Sequence, residues 1–525
     1  MKRIFALLIV LILLFSLFSF NGAAYANSVH RVGKAYLGKG GAGETLRIAN
    51  GRMYVFGSKS VDLGVGKDKV NAVWVFSLKD PAKPKLLGEW ADANIDNIHG
   101  DADVESPLII YKNFVIPTHG ASLRIIDFSD PSRPECKTLM QGGGPIAAAI
   151  YKHYLIAINV MNEIYYFDMD KNFEQHKADF DIESMANSGI DFYPIYMFAY
   201  ESKLYALGSG AVILSLTNFP KITFVKELKD LNGDEIDIDT ARRFGKYVVC
   251  GKAGRGYELF DMENDKFYYT KAANIDDIEL EKFAKEGRMI YAIGHIRKEL
   301  VAMDAIDIVH PKTLWSYTLD KKASDLGVYM GYIYLVNGDT IDILNVAPFK
   351  DVPTDYWAIG AIKYMVSKNI ISGYPDGTFK PDKIVTRAEY AKMLALSLNL
   401  DISKGRDIYA DVPKTHWAYK YITAVTDAGL MKGYGKGKFG PNDTVKKEEI
   451  ITTIVRLKKW NLISPKSGTF PDVPHKYWAY PYIETAVSHG LIKKVDRGLT
   501  DGNFHIKAGA TRAQTAELLY RAIKK

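Results

Sequence analysis

The sequence predicts a multidomain protein in which an all-β seven-bladed propeller is followed by an all-α module with pseudo-threefold symmetry. Two repeat patterns carry this prediction. Over the first two thirds of the chain, short apolar strands separated by turn signals recur with a period of about 41–50 residues, which is typical of propeller blades. In the last third, a motif ending in Trp-Ala recurs every 60 or 61 residues, and each copy leads into the hydrophobic periodicity of a helix.

The first 26 residues are predicted to be a secretory signal peptide, because a charged start and the apolar run 4–20 lead to a small-residue ending at Ala26. An uncleaved membrane anchor is the alternative. After cleavage no membrane span is expected, so the mature protein is predicted to be secreted. Its only two cysteines, Cys136 and Cys250, are expected to be buried and unpaired, although an exported protein could join them.

Residues 27–346 contain seven similar units, each with a Gly- or Lys-led apolar strand and a second strand that ends in a polar residue. These polar ends are Ser77, Asp127, Asp168, Ser215, Asp261, Asp304 and Asn345. Seven units predict seven blades, with six or eight as the alternatives. The seventh unit leaves no room for its outer strand, so residues near 35–38 are predicted to supply it and close the ring.

Two of the units, 73–81 and 123–131, resemble the LVIVD repeat, a propeller-forming family, while later units lose its Asp-Pro ending. Three acid-rich links, 96–103, 234–239 and 274–279, are either turns or an acidic rim that holds a cation. The absence of a calcium-loop spacing favours turns. The sequence shows no nucleophile elbow, phosphate loop or zinc-protease motif, so no catalytic residue, metal or cofactor is predicted.

The C-terminal third has a different pattern, in which four motifs recur in the same order three times. An Asp-Val-Pro segment runs to Trp-Ala, an amphipathic helix and a Gly-rich turn follow, and a Thr-Arg-Ala-Glu-like segment opens a second helix. In the first copy, Thr386 and Glu389 have the spacing of a capping box. Residues 347–405, 406–466 and 467–525 thereby resemble three S-layer homology domains.

This resemblance implies a compact helical module with trimeric pseudosymmetry. Such modules attach exported proteins non-covalently to a secondary cell-wall polysaccharide, often a pyruvylated one, in grooves between neighbouring repeats. The resemblance also implies that the polymer contacts the Asp and Trp of the first motif, the turn Gly and the Arg of the last motif. On this chain those positions are Asp351, Trp357, Gly373, Arg387, Asp411, Trp417, Gly433, Lys447, Asp472, Trp478 and Arg512.

The chemistry of these positions suits an anionic sugar polymer, because Arg pairs with a carboxylate through two charge-assisted hydrogen bonds and a Gly turn near a helix N-terminus offers backbone N–H groups. Alternatively, the Trp side chains belong to the core and the Asp side chains cap turns. Lys447 lacks the fork of an arginine, so its groove is expected to be weaker or altered. The predicted sites are Arg387 with Asp351, Trp357 and Gly373, and then Arg512 with Asp472 and Trp478.

Charge separates the two parts of the chain. Residues 349–525 carry 29 Lys and Arg against 17 Asp and Glu, a net charge of +12, whereas the remainder carries −5. A basic module outside the cytoplasm favours an anionic envelope polymer over nucleic acid. We therefore predict a non-enzymatic protein of the cell wall or S-layer surface, whose propeller binds a protein or glycan. An anchored propeller enzyme and a structural S-layer subunit are the alternatives.

Overall fold

The computed structural model describes residues 29–524, except for 63–66, 93–107, 119–121, 142–144, 160, 181–192, 231–235, 237, 239, 253–255, 270–279, 288, 295–297, 306–307, 309–310 and 375. The chain divides into two compact units, of which the first ends at Asn345 and the second starts at Val346. Each unit has its own hydrophobic core.

The first unit is a seven-bladed propeller, as predicted, because its strands form seven separate four-stranded sheets. Strand β1 (Val29–Tyr36) precedes the first blade along the chain. Blades 1 to 3 follow chain order. Blade 1 consists of β2 (Gly41–Ala49), β3 (Arg52–Asp62), β4 (Lys67–Ser77) and β5 (Lys85–Ala91), and blade 2 of β6 (Leu108–Tyr111), β7 (Phe114–Pro117), β8 (Ser122–Asp127) and β9 (Glu135–Gln141). Blade 3 consists of β10 (Pro145–Tyr151), β11 (Tyr154–Asn159), β12 (Ile164–Asp168) and β13 (Glu174–Lys177).

In two of the remaining blades, the outer strand comes before the other three strands along the chain. Blade 4 consists of β15 (Tyr193–Tyr200), β16 (Lys203–Ser215) and β17 (Lys221–Glu227), with the short β14 (Asp179–Phe180) parallel to β17 at its edge. Blade 5 consists of β18 (Thr240–Phe244), β19 (Tyr247–Lys252), β20 (Gly256–Asp261) and β21 (Lys266–Tyr269). Blade 6 consists of β22 (Leu280–Glu286), β23 (Met289–Gly294), β24 (Glu299–Asp304) and β25 (Lys312–Thr318). Blade 7 consists of β26 (Asp325–Tyr329), β27 (Tyr332–Asn337) and β28 (Thr340–Val346) together with β1.

The polar residues that end the second strand of each predicted unit have a local structural role. Six of the seven are the last residues of their strands, from Ser77 in β4 to Asp304 in β24. Several accept a hydrogen bond from the backbone N–H two residues later, as Asp127 does from Ser129 at 2.7 Å and Asp168 does from Asp170 at 3.0 Å. This turn stops the strand and directs the chain to the outer strand, which explains why the marker repeats with the blade.

The N-terminal strand closes the propeller, as predicted. The sheet order of blade 7 is β1-β28-β27-β26, so β1 supplies the outer strand that the seventh unit lacks. The strand begins earlier than the predicted segment 35–38, and just after it the fully buried Leu37 donates its N–H to the carbonyl of Asp339 at 3.0 Å. Closure by a distant segment removes a free sheet edge from the ring.

A buried ion cluster joins the inner strands of three blades. The carboxylate of Asp325, in blade 7, is fully buried and accepts two hydrogen bonds from Arg242 Nη2 of blade 5, at 2.8 and 3.0 Å. It also accepts bonds from Arg47 Nη1 at 3.0 Å and from the backbone N–H of Leu46 at 2.7 Å, both in blade 1. Asp325 therefore closes the ring on its inner side.

Several predictions for the first unit concern residues outside the described ranges. These are the signal peptide and nearly all of the three acid-rich links, of which Ile236 and Ile238 are described and buried. Both cysteines are unpaired, but the prediction that both are buried is wrong for Cys136, which is exposed at the outer strand of blade 2, whereas Cys250 is buried. Among the described helices, none is long and apolar enough to cross a membrane.

The second unit contains six described helices, two for each repeat: α1 (Ile359–Ser367), α2 (Arg387–Ser397), α3 (Tyr419–Asp427), α4 (Lys447–Leu457), α5 (Tyr480–Ser488) and α6 (Arg512–Lys524). The predicted apolar face of α1 is confirmed, since Ile362, Met365 and Val366 are buried. The second helix of each repeat packs against the first helix of the next, so that α2 contacts α3, α4 contacts α5 and α6 contacts α1.

Three backbone hydrogen bonds close a ring at the centre of this unit. The N–H of Val385 donates to the carbonyl of Ala510 at 2.9 Å, Ala510 donates to Val445 at 2.9 Å, and Val445 donates to Val385 at 3.0 Å. All three residues are almost completely buried. Each lies two residues before a second helix, so the ring fixes all three helix starts around one pseudo-threefold axis, as predicted.

Candidate binding site at the repeat junctions

The side chain of Arg387 crosses from the first repeat to the Gly-rich turn of the second. Helix α2 starts there because Thr386 Oγ1 accepts the N–H of Glu389 at 3.2 Å, while Glu389 Oε2 accepts the N–H of Thr386 at 2.9 Å, which confirms the predicted capping box. The Arg387 side chain is almost completely buried, and its Nε donates to the carbonyl of Phe439 at 3.0 Å. Its Nη2 donates to the carbonyl of Lys432 at 2.7 Å.

Arg512 makes the equivalent crossing from the third repeat to the turn of the first. Its Nε donates to the carbonyl of Phe379 and its Nη2 to the carbonyl of Ser372, both at 2.8 Å. The guanidinium carbon lies 4.5 Å from the ring centroid of Phe379 and 5.1 Å from that of Tyr374. Burial lowers the pKa of Arg512, although the charge of Glu389 opposes that shift.

Lys447 completes the cycle from the second repeat to the third, with a single hydrogen bond in place of two. Its Nζ donates to the carbonyl of Leu499 at 2.7 Å and lies 4.6 Å from the ring centroid of Phe504. The side chain is 3% exposed, and burial lowers its pKa to about 8. We name the three places the Arg387, Lys447 and Arg512 junctions after the basic residue that each contains.

Each arginine has N–H donors that the turn carbonyls do not occupy. A guanidinium has five N–H bonds, and the edge formed by Nε and Nη2 is taken up by the two turn carbonyls. Nη1 of Arg512 makes no hydrogen bond within the described part of the chain, and Nη1 of Arg387 lies 4.0 Å from Glu449 Oε1. The remaining edge, formed by Nη1 and the second N–H of Nη2, also presents two N–H bonds with the spacing of a carboxylate.

The aspartates of the first motif hold the turn of their own repeat. Asp351 accepts the backbone N–H groups of Phe379 at 2.7 Å and Lys380 at 2.8 Å, one on each carboxylate oxygen. The equivalent pairs are Phe439 and Gly440 on Asp411, and Phe504 and His505 on Asp472. Burial alone would raise the pKa of Asp411, but these N–H donors keep it below its ordinary value. The turn-capping alternative is therefore what the structure shows.

The turn glycines are required by close packing rather than by a left-handed backbone. A Cβ on Gly373 would lie 2.3 Å from the ring of Phe349, and one on Gly433 would lie 2.3 Å from the carbonyl oxygen of Lys438. The positive φ angles occur further along each turn, at 77° for Gly377 and 90° for Gly435. Gly373 and Gly433 therefore allow each turn to close tightly next to the arginine that contacts it, which is Arg512 for the first turn and Arg387 for the second.

The tryptophans are not core residues in two of the three repeats. Trp417 and Trp478 are 55% and 53% exposed, so each indole presents apolar surface that a sugar ring can contact. Trp357 is partly buried and covers the third repeat's turn, because a Cβ on Gly498 would lie 2.1 Å from its ring. Trp357 therefore lies near the Lys447 junction rather than beside Arg387.

The predicted grouping of site residues within single repeats is corrected by these contacts. The hydrogen bonds of Arg387 reach the turn that Asp411 holds, and those of Arg512 reach the turn that Asp351 holds. The turn of Asp472 belongs instead to Lys447. A local sequence motif fixes where a helix starts, but it does not say which repeat lies in front of that start.

Sequence reasoning also missed two kinds of side chain at the junctions. Tyr434 and Tyr374 lie against the arginines, with the Arg387 guanidinium 4.5 Å from the Tyr434 ring centroid. Their repeated Gly-Tyr spacing was the available signal. Glu448, which replaces the alanine of the Thr-Arg-Ala-Glu motif, is completely buried.

Comparison with known proteins identifies the repeats. The sequence model of the S-layer homology domain matches residues 348–391, 408–451 and 469–516, so the second unit consists of three such domains. A cellulosome-anchoring protein of Acetivibrio thermocellus is 37% identical over 154 residues, which cover 29% of this chain and 34% of that protein. An S-layer protein of Bacillus thuringiensis subsp. finitimus is 33% identical over 181 residues, which cover 34% of this chain and 21% of that protein.

The matches cover a limited part of each relative. An endoglucanase of a Bacillus species is 32% identical over 179 residues, which cover 33% of this chain and 18% of the enzyme. The chain thus spans about a third or less of the length of these relatives. The Neurospora crassa Pan2 WD40 domain superposes with a TM-score of 0.42 at 10% identity, covering 61% of this chain and 96% of that domain.

Proposed function

We propose that this protein is exported and held at the cell surface by its three S-layer homology domains, which bind an anionic secondary cell-wall polysaccharide non-covalently. The observation that carries the proposal is the pair of buried arginines, Arg387 and Arg512, whose carboxylate-matching edges are not used by the turns they hold. The carboxylate of a pyruvate ketal on the polymer pairs with that edge. Exposed Trp417 and Trp478 offer apolar faces to the sugar rings.

Three further observations support this proposal. The second unit has a strongly positive net charge, which attracts an anionic polymer. Because salt screens this attraction, binding should weaken as the salt concentration rises. Its relatives include proteins named for cellulosome anchoring and for the S-layer. The predicted signal peptide provides the export route. On this account the propeller is the displayed part of the protein and binds a protein or glycan.

The test is co-sedimentation of the full chain with purified cell walls, comparing wild type with Arg387→Lys and Arg512→Lys. Lysine keeps the charge and one hydrogen bond but lacks the second edge, so each variant is expected to bind at least about tenfold more weakly. Lys420→Arg, on the exposed side of α3, is the matched control and should bind like wild type. Unchanged wall binding by both junction variants, with their thermal unfolding intact, would contradict the proposal.

An anchored enzyme is the second candidate, because one relative with a region similar to the second unit is named as an enzyme, an endoglucanase. Within the described ranges, no group of three or more His, Cys, Asp or Glu side chains is arranged to hold a metal ion. The two candidates differ in a direct assay. Release of soluble sugars or peptides from isolated walls by the full chain would favour the enzyme, and intact walls would favour the binding protein.

A further inference from the structure

The Lys447 junction differs from the arginine junctions in the charge that the protein itself supplies. After their arginines, α2 and α6 continue with Ala388 and Ala513, whereas α4 continues from Lys447 with Glu448. Glu448 is completely buried. A buried carboxylate costs free energy unless cations and hydrogen-bond donors surround it, so this replacement changes the chemistry of the junction.

The third repeat provides the donors for Glu448. Its Oε1 accepts hydrogen bonds from Tyr477 Oη at 2.8 Å and from the backbone N–H of Lys507 at 2.9 Å. Burial and this bond to Glu448 raise the pKa of Tyr477 to about 12, so the phenol remains a donor at neutral pH. The other oxygen, Oε2, is buried and has no hydrogen-bond partner among the residues that the structure describes.

A second acidic side chain replaces the tyrosine of the other junctions. Asp501 follows Leu499 by two residues, just as Tyr434 follows Lys432, and Leu499 and Lys432 are the residues whose carbonyls accept the basic side chains. The charges of Asp472, Glu448 and Asp501 all favour the protonated form of Lys447. Three carboxylates of the protein thus act on the charge of Lys447.

The arginine junctions have a different set of acidic groups. Nη1 of Arg387 lies 4.0 Å from Glu449 Oε1 of the next repeat, and Asp443 interacts with the neighbouring Tyr434. The charges of Glu389 and Asp351 act on Arg512. The third repeat has the neutral Gln514 at the corresponding position. At the motif positions of Glu448, Asp501 and Gln514, the Lys447 junction therefore loses one carboxylate and gains two. Its single cation loses charge near pH 8, whereas an arginine remains charged.

We propose that Glu448 supplies internally, at the Lys447 junction, the carboxylate that the two arginine junctions take from the polymer. The module then has two carboxylate-binding sites rather than three. This inference rests on the proposed function, because it assigns which of the three grooves perform it. A ligand carboxylate entering the Lys447 junction meets like charge from Glu448 and Asp501 and finds a cation with no fork.

The experiment is isothermal titration of the full chain with a methyl hexopyranoside that carries a 4,6-pyruvate ketal, using its uncharged methyl ester as the control ligand. Wild type is expected to bind two equivalents. Arg387→Gln and Arg512→Gln should each bind one, while Lys447→Gln should still bind two. If thermal unfolding shows that a glutamine variant has lost the folded second unit, the corresponding lysine variant replaces it, with at least a tenfold weaker site expected.

A gain of binding tests the role of Glu448 directly. The double variant Lys447→Arg/Glu448→Ala gives positions 447 and 448 the Arg-Ala pair of the other two junctions and should raise the stoichiometry from two towards three. A double variant that still binds two equivalents, or a Lys447→Gln protein that loses a site, would overturn the inference. Wild-type binding of three equivalents would overturn the inference but support the proposed function, whereas no binding of the acid form would contradict both.

Discussion

Replacing Arg387 with methionine tests whether the arginine holds the turn of the next repeat. Methionine keeps most of the apolar stem but removes the hydrogen bonds to the carbonyls of Phe439 and Lys432, at 3.0 and 2.7 Å. A hydrogen bond from a charged donor contributes about 1.5–3 kcal/mol, so the second unit should lose roughly 3–6 kcal/mol of its free energy of unfolding. At about 2–4 °C per kcal/mol for a unit of this size, its melting temperature should fall by roughly 6–24 °C.

The matched control is Lys447→Met at the equivalent position. This change removes one hydrogen bond, at 2.7 Å, and also removes a buried ammonium whose pKa is lowered to about 8, so its two effects oppose each other. Differential scanning calorimetry of the full chain should therefore show a much smaller shift of the same transition. Equal shifts for the two variants, or no shift for Arg387→Met, would refute the reasoning that the arginine carries the turn.

Three further outcomes follow from the structure. Deleting β1 (Val29–Tyr36) should sharply lower the melting temperature of the propeller transition, and an unchanged transition would count against closure by this strand. Asp325→Asn should cost about 3–5 kcal/mol in urea unfolding, because two arginines lose their shared buried partner; a change below about 1 kcal/mol would argue against its role in closing the ring. Because the folded pKa of Lys447 lies below its unfolded value of about 10.4, the unfolded state binds the extra proton between pH 8 and 10. As the pH rises across that range, the free energy of unfolding of wild type should therefore increase by up to about 3 kcal/mol relative to that of Lys447→Met. A difference between the two proteins that does not change with pH would contradict the lowered pKa of Lys447.

The parts of the fold that the sequence predicts are those set by local chemistry. Strand ends such as Asp127 and Asp168 are visible because they accept hydrogen bonds from the backbone two residues later, and this pattern repeats in many blades. The closing strand followed from the missing outer strand of the seventh unit. The cluster at Asp325 was not predictable, because Arg47 and Arg242 are far from it along the chain and belong to no repeated motif.

At the candidate site too, features set by local sequence could be predicted, whereas contacts between distant parts of the chain could not. The residue types at the junctions, including the capping box at Thr386, could be predicted from motifs that recur in order. Their grouping could not, because the backbone ring through Val385, Val445 and Ala510 determines which turn each helix start faces. The predicted LVIVD resemblance of the propeller and the predicted signal peptide remain predictions.

The most direct test of the account is binding of the unmodified full chain to cell walls before and after mild acid treatment that removes pyruvate ketals. The account predicts that binding falls by at least about tenfold on treated walls, because the buried edges of Arg387 and Arg512 lose the carboxylate they pair with. The loss should exceed that caused by raising salt on untreated walls. Equal binding to treated and untreated walls would contradict recognition of the polymer through its carboxylates.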